Sequence, residues 1–213
     1  YNEQARIGNI LRVVSVHPMI GEVIVVDDGS TDDTKGAAGA FPNVRVIVSP
    51  KNQGKSATIR DGIRASSGEF IFLLDADLLG MTADNVTRLL EPVLERKAAV
   101  SITLRGNTPR LWRAIGLDYI SGERVFPRAM VLPVLDKISA LPGFGLEVFL
   151  NTLIIAHRYP VKIVPWTNVA SPYKYAKYGL WRGIRSDIRM MADIFRVVSV
   201  FGMPVQIIRL LRL

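Results

Sequence analysis

An α/β fold, an open and mainly parallel sheet flanked on both faces by helices, is predicted by three observations. Helical and strand-like hydrophobic periods alternate through the first 77 residues. The strand-like runs are continuously apolar, as strands buried on both faces are. Two of those runs end in paired carboxylates, which is where ligands sit in open α/β sheets.

Taken in order, residues 3–16 place Ile7, Ile10, Leu11 and Val14 on one face of an amphipathic helix. Glu22-Val23-Ile24-Val25-Val26 reads as the first buried strand. A weak, glycine-interrupted helix starts at Thr31, followed by a strand over 44–48, a helix over 55–65 and a strand over 70–74 that runs into Asp75-Ala76-Asp77. Residues 82–97 have Thr82 as N-cap, Asp84 in the first turn and Leu89, Leu90, Val93 and Leu94 on one face; Pro92 is expected to kink this helix. A strand over 98–104, a segment rich in arginine and tryptophan up to Tyr119, and the stretch 121–128 follow. Helices over 131–138 and 146–157 precede a strand over 161–165. Neither linker nor repeat interrupts this order, so 1–170 is expected to be one domain and 171–213 a basic, helical tail.

The 213 residues are 49% hydrophobic and 22% charged, a globular composition that rules out disorder of the whole chain. With no cysteine, a disulfide framework, a thiolate zinc site and a cysteine nucleophile are all excluded. The net charge of +8 favours an anionic partner, and residues 174–213 hold eight Lys/Arg against only Asp187 and Asp193. No apolar run reaches the ~18 residues needed to span a bilayer, and the longest, 197–208, is broken by Gly202-Met203-Pro204. The N-terminus carries no signal-peptide pattern.

Three short segments could carry chemistry. Asp75-Ala76-Asp77 puts two carboxylates on one side of a strand end, where they share a hard divalent cation such as Mg²⁺ or Mn²⁺, split it with a ribose, or merely face solvent. Asp27-Asp28-Gly29-Ser30 occupies the equivalent edge two strands earlier; a carboxylate there can accept from a nucleobase or ribose while Gly29 lets the backbone approach. Ser30 and Thr31 could equally be helix N-caps. Asn52-Gln53-Gly54-Lys55-Ser56 places a glycine and a lysine at a helix N-terminus, suited to a diphosphate or to a plain structural turn.

Tyr1-Asn2-Glu3, residues 25–32, Asn52 to Lys55 and Leu74-Asp75-Ala76-Asp77 together resemble family 2 glycosyltransferases of GT-A fold. The resemblance implies inverting transfer of a sugar from a nucleotide-sugar. It implies Tyr1, Glu3, Asp27 and Asp28 on the nucleoside side, Lys55 near the donor, Asp75 at the ribose and metal, and Asp77 as metal ligand and catalytic residue. It also implies a strand directly before Tyr1-Asn2-Glu3, upstream of this sequence. Arg105, the segment 121–126 and Gly143-Phe144-Gly145-Leu146-Glu147 resemble the polyprenyl-phosphate and glucosyl-phosphoglycerate branches, whose acceptors carry a phosphate. Arg105 and Arg124 are then candidates to grip that phosphate, or else arginines paired with Glu123 or Asp118. Glu147 matches the position of a catalytic base; alternatively it orients an arginine or caps a helix near Gly145. His17 and His157 sit in no matching motif and read as structural.

The basic, aromatic loop 171–178 reads as a lid, a membrane-facing loop or an exposed connection. Beyond it, Ile184, Ile188, Met191, Phe195 and Val198 recur at helical spacing among Arg182, Arg185, Arg189 and Arg196, and Pro204 opens a second short helix. This pattern suits an interfacial anchor at the cytoplasmic face of a membrane, a core-packing helix or a homo-oligomer contact. The expected partners are therefore a UDP- or GDP-sugar and a phosphorylated acceptor, polyprenyl phosphate first and a soluble phosphoglycerate second. A sugar-nucleotide pyrophosphorylase and a basic nucleic-acid-binding module are the readings from other classes.

Overall fold

The computed structural model describes residues 1–143, 145–172, 191–199 and 201–213. Phe144, most of the 171–178 loop and the 180–190 part of the expected tail helix, with Arg182, Arg185 and Arg189, lie outside the described residues.

Helices and strands alternate as α1 (Gln4–Val14), β1 (Val23–Asp27), α2 (Thr34–Gly39), β2 (Val44–Val48), α3 (Lys55–Ala65), β3 (Phe70–Leu73), α4 (Ala83–Leu94) and β4 (Val100–Arg105). They continue as α5 (Arg110–Ile115), β5 (Arg124–Pro127), two 3₁₀ turns, α6 (Leu135–Ile138), α7 (Gly145–Ala156) and β6 (Val161–Trp166). The tail contributes α8 (Met191–Val197) and α9 (Gly202–Leu210), bent by 83° to one another. No single helix among the described residues is long and apolar enough to cross a membrane.

The strands form two sheets. β1 and β2 pair in parallel, and the larger sheet has the order β3-β5-β4-β6. β4 and β6 are parallel, whereas β5 lies antiparallel to both β3 and β4. β5 thus brings its beginning, rather than its end, to the carboxyl ends of its neighbours, with Arg124 opposite Leu73 on one side and Ile102 on the other. β1 and β3 are not hydrogen-bonded to each other. Between them runs a cleft of about 610 Å³, lined by residues of both strands and by Ile7, Ile10 and Leu11 of α1.

Side chains alternate across the strands into two cores. Val125, Val164 and Trp166 join Ile7, Leu11, Val86 and Leu89 beneath α1 and α4. Phe126, Ile102 and Val100 join Ile63, Ile138, Leu150 and Ile154 beneath α3, α6 and α7. The predicted apolar face of α1, Ile7, Ile10, Leu11 and Val14, is its buried face.

Three local readings change. α2 starts at Thr34 with Asp33 as N-cap, because Thr31 is bonded to Asn2 and Ser30 to Asp27. The helix expected over 131–138 is one 3₁₀ turn, Leu132–Val134, containing Pro133, followed by the four-residue α6. The arginine- and tryptophan-rich segment folds into α5, and Trp112 stacks on Tyr119. Thr82 caps α4 in a capping box with Asn85, as the spacing predicts, and Pro92 lies inside that helix. His17 is buried against the Ala83 carbonyl and Thr87, and His157 stacks on Tyr159.

Candidate active site

The carboxyl ends of β1, β3 and β4 converge with the beginning of β5 and the first turn of α7. At the end of β1, the Asp27 carboxylate accepts from Ser30 N at 3.1 Å and from the Ser30 hydroxyl. Ser30 Oγ in turn receives Asn2 N at 2.9 Å, and Thr34 Oγ1 receives Glu3 N at 2.8 Å. The loop after β1 therefore fixes the Tyr1-Asn2-Glu3 segment, and Tyr1, Glu3 and Asp27 line the same cleft. Glu3 also pairs with Arg6 at 3.2 Å, and the Tyr1 ring is exposed.

Asp28 has both oxygens engaged, Oδ1 by Gln53 N at 2.7 Å and Oδ2 by Gly54 N at 2.9 Å. It is buried and shapes the 52–55 turn instead of facing outward. Gly29 completes this junction at φ +67°; a Cβ there would stand 2.8 Å from the Lys51 carbonyl carbon. The two acidic strand ends are thus joined through one turn, since the next residue, Lys55, reaches Asp75.

Lys55 Nζ lies 3.1 Å from Asp75 Oδ1 and 2.8 Å from Glu147 Oε1, with its side chain 37% exposed. Burial opposes the ammonium, but Asp75 and Glu147 outweigh it and push the Lys55 pKa up. Burial likewise opposes the Asp75 charge, and Lys55, helped by Arg105 and a hydrogen bond with Glu123, holds its pKa down. Glu147 sits in the first turn of α7, with Oε2 buried and without a hydrogen-bond partner. These groups surround a cavity of about 50 Å³ whose wall includes Lys55, Asp75, Gly122, Arg124 and Glu147.

The antiparallel register of β5 explains the floor of this site. Continuing it past Leu73 and Arg124 sets Gly122 opposite Asp75, and a Cβ on Gly122 would stand 2.7 Å from Asp75 Oδ2. Glu123, next along, is fully buried; its Oε2 receives Thr103 Oγ1 at 3.0 Å and Ser121 Oγ at 3.1 Å. Burial, with Asp75 beside it, pushes the Glu123 pKa up to about 7.

The two candidate phosphate arginines are both tied up internally. Arg105 is 14% exposed and lies 3.3 Å from Asp118 Oδ2 and 3.5 Å from Glu123 Oε1, with Nη1 donating to Ser171 Oγ at 2.5 Å. Burial disfavours its charge, but Glu123, Asp118 and Asp75 prevail and raise its pKa. Arg124 is fully buried and donates to Ser121 O, to Glu147 O at 3.4 Å and to Asn151 Oδ1 at 3.1 Å. Burial lowers its pKa. Its guanidinium therefore holds the start of α7 from beneath, and the expectation of an exposed phosphate grip does not fit this placement.

Asp77 follows Asp75 on the half-buried turn after β3. That turn is anchored downstream by a bridge between Leu79 and Ala170, with Asn168 donating to Gly80 O at 2.8 Å. The hard oxygens of Asp75 and Asp77 are the groups here that suit Mg²⁺ or Mn²⁺. Among the described residues no set of three acidic or imidazole side chains gathers around one metal position. An ion on this pair would complete its shell with diphosphate and water oxygens, as a two-carboxylate site does.

The pairing of the arginines with Asp118 or Glu123, one of the alternatives the sequence offers, holds for Arg105; Gly122 had no such signal, because the direction of β5 is what brings it against Asp75. β5 is three consecutive buried residues followed by a half-buried one, so no two-residue alternation marks it in the sequence.

Residues 1–135 match the family model described as glycosyl transferase family 2. A dolichyl-phosphate beta-glucosyltransferase of Trichomonas vaginalis is 39% identical over 90 residues, 36% of this chain and 27% of that protein. The human dolichyl-phosphate beta-glucosyltransferase is 50% identical over 62 residues, 26% of this chain and 19% of the relative. Glucosyl-3-phosphoglycerate synthase of Mycolicibacterium smegmatis is 33% identical over 103 residues, 44% and 33% of the two chains. The matched span is thus a third or less of each of these relatives. The fold resembles the crystal structure of the Mycobacterium tuberculosis glucosyl-3-phosphoglycerate synthase bound to Mn²⁺, UDP and glucosyl-3-phosphoglycerate, with a TM-score of 0.69 at 23% identity over 92% of this chain and 76% of that one. Sequence order, strand-end carboxylates and fold agree with the family match: the chain belongs to glycosyl transferase family 2.

Proposed function

We propose that this protein transfers a hexose from a UDP- or GDP-sugar, with inversion, to a phosphorylated acceptor, polyprenyl phosphate being the first choice. The observation that carries this reading is the Lys55 ammonium held between Asp75 and Glu147 at the converging strand ends. A cation fixed in the first turn of α3, whose N-terminus has no side-chain cap, is placed for a diphosphate. Its charge persists at neutral pH, since both carboxylates raise its pKa.

In this reading Tyr1, Glu3 and Asp27 meet the nucleoside, while Asp28 acts one step removed by shaping the turn that carries Lys55. Asp75 and Asp77 hold Mg²⁺ or Mn²⁺, which when bound neutralises charge developing on the diphosphate leaving group. Lys55 adds a second positive charge on that side. Glu147 Oε2, buried and without a hydrogen-bond partner, is the available acceptor for a proton from an acceptor hydroxyl. A lipid phosphate is already ionised at neutral pH and needs no such base; Glu147 then serves to fix Lys55. Arg105 reaches an acceptor phosphate by exchanging Ser171 Oγ for a phosphate oxygen, while Arg124 supports Glu147 through its main chain. The strand that the family resemblance puts before Tyr1 would fit the cleft between β1 and β3.

A phosphoglycerate-like soluble acceptor is the second reading, favoured by the Glu147 oxygen that a hydroxyl acceptor would use. Calorimetric titration with UDP-glucose and GDP-mannose, each with and without Mn²⁺ or Mg²⁺, tests the donor side. Metal-dependent binding of one nucleotide-sugar is expected; binding of neither, in the presence of acceptor, would reject the proposal.

A further inference from the structure

Helix α9 has two apolar faces, and among the described residues only one of them is packed against the core. Met203, Ile207, Leu210 and Leu213 pack against the core beneath α7. Gln206 fixes the rotation of the helix, accepting from the Tyr119 hydroxyl at 2.6 Å and donating to Thr152 Oγ1 at 2.9 Å. Phe201, Val205 and Ile208, spaced four and three apart, therefore form one outward stripe, with Leu211 at its edge. They are exposed by 86%, 47%, 50% and 49%. On α8, Met191 and Phe195 are exposed as well.

The charged side chains that follow Asp193 in the sequence all have one sign. Arg209 and Arg212 are exposed in the last turn, and no Asp or Glu follows Asp193 in the chain. Asp193 is itself buried and faces Arg196 at 3.5 Å. A second copy seated on the same face would set cations against cations, whereas an anionic lipid surface complements both the apolar stripe and its flank.

We infer that the outer face of α9 seats the protein on an anionic membrane surface, with Phe201, Val205, Ile208 and Leu211 entering the headgroup layer and Arg209 and Arg212 meeting lipid phosphates. This surface does not rest on the sugar-transfer reading, because lipid binding requires neither donor nor metal.

Sedimentation of the full chain with vesicles of phosphatidylcholine alone, or mixed with phosphatidylglycerol, tests it. Binding to the mixed vesicles and little to the neutral ones is expected, weakened about fivefold for each of Arg209→Gln and Arg212→Gln. The double variant Phe201→Ser with Ile208→Ser should lose binding at an unchanged thermal midpoint, since neither side chain belongs to the core. Independently, a Phe201→Trp variant should shift its emission to the blue on anionic vesicles. Failure of the unaltered chain to bind, equal binding by the serine variant, or an unshifted Trp emission would each overturn the proposal. A lipid-free dimer that dissociates in the serine variant would overturn it in favour of a second copy.

Discussion

At the scale of single residues, the site separates groups that meet a ligand from groups that hold those groups. On the proposed function Asp77 falls in the first set: Asp77→Ala should abolish metal-dependent donor binding by calorimetry while the thermal midpoint stays within a few degrees, because the residue is on a half-buried turn. Glu123 belongs to the second. Its carboxyl is buried, and its pKa, raised to about 7 from 4.5, gives a signed prediction. The folded state binds this proton more tightly than the unfolded chain, so Glu123 makes stability fall as pH rises from about 4.5 to about 7. Glu123→Gln should flatten that part of the stability–pH curve, measured by urea unfolding at several pH values. The placement of Asp27, Lys55, Asp75 and Asp77 at strand ends and a helix start was legible in the sequence, because strand-end acids and a Gly-Lys turn have local spacing. The true task of Asp28 was not: two main-chain donors 25 and 26 residues away claim its oxygens. Nor was that of Arg124, where an isolated arginine in the sequence gives no sign of complete burial.

At the scale of elements, periodicity was a good guide wherever one face meets one core. The α1 stripe and the Thr82 cap of α4 follow directly from spacing. Thr82→Ala should cost about 1 kcal/mol, read as a lower urea midpoint at constant m-value, because the Asn85 N–H loses its side-chain acceptor. β5 resisted sequence reading for a physical reason. Its four residues, Arg124 to Pro127, lie between two neighbours that run the opposite way, and its first side chain is a buried arginine. A strand this short, opening on a charge, has no two-residue alternation long enough to recognise, yet it delivers Gly122 and Glu123 to Asp75. The residues around Pro133 departed in the other direction: the apolar spacing is helical, but the chain runs as a 3₁₀ turn over 132–134 before the one-turn α6.

At the scale of the molecule, α/β alternation predicted the layers but not the division of the sheet. β1 and β2 form a two-stranded unit, a size of sheet that is marginal without packing, whereas β3 to β6 share four strands and both cores. Hydrogen exchange read by mass spectrometry should therefore show the β1 and β2 amides exchanging faster than those of β4 and β5. The 52–55 turn has a mechanical meaning as well. It is gripped by the pair of bonds to Asp28 at the end of β1 and carries Lys55 to Asp75 at the end of β3. Asp28 is thus a hinge pin for the site: loosening its two bonds would shift the Lys55 ammonium relative to both acidic strand ends at once.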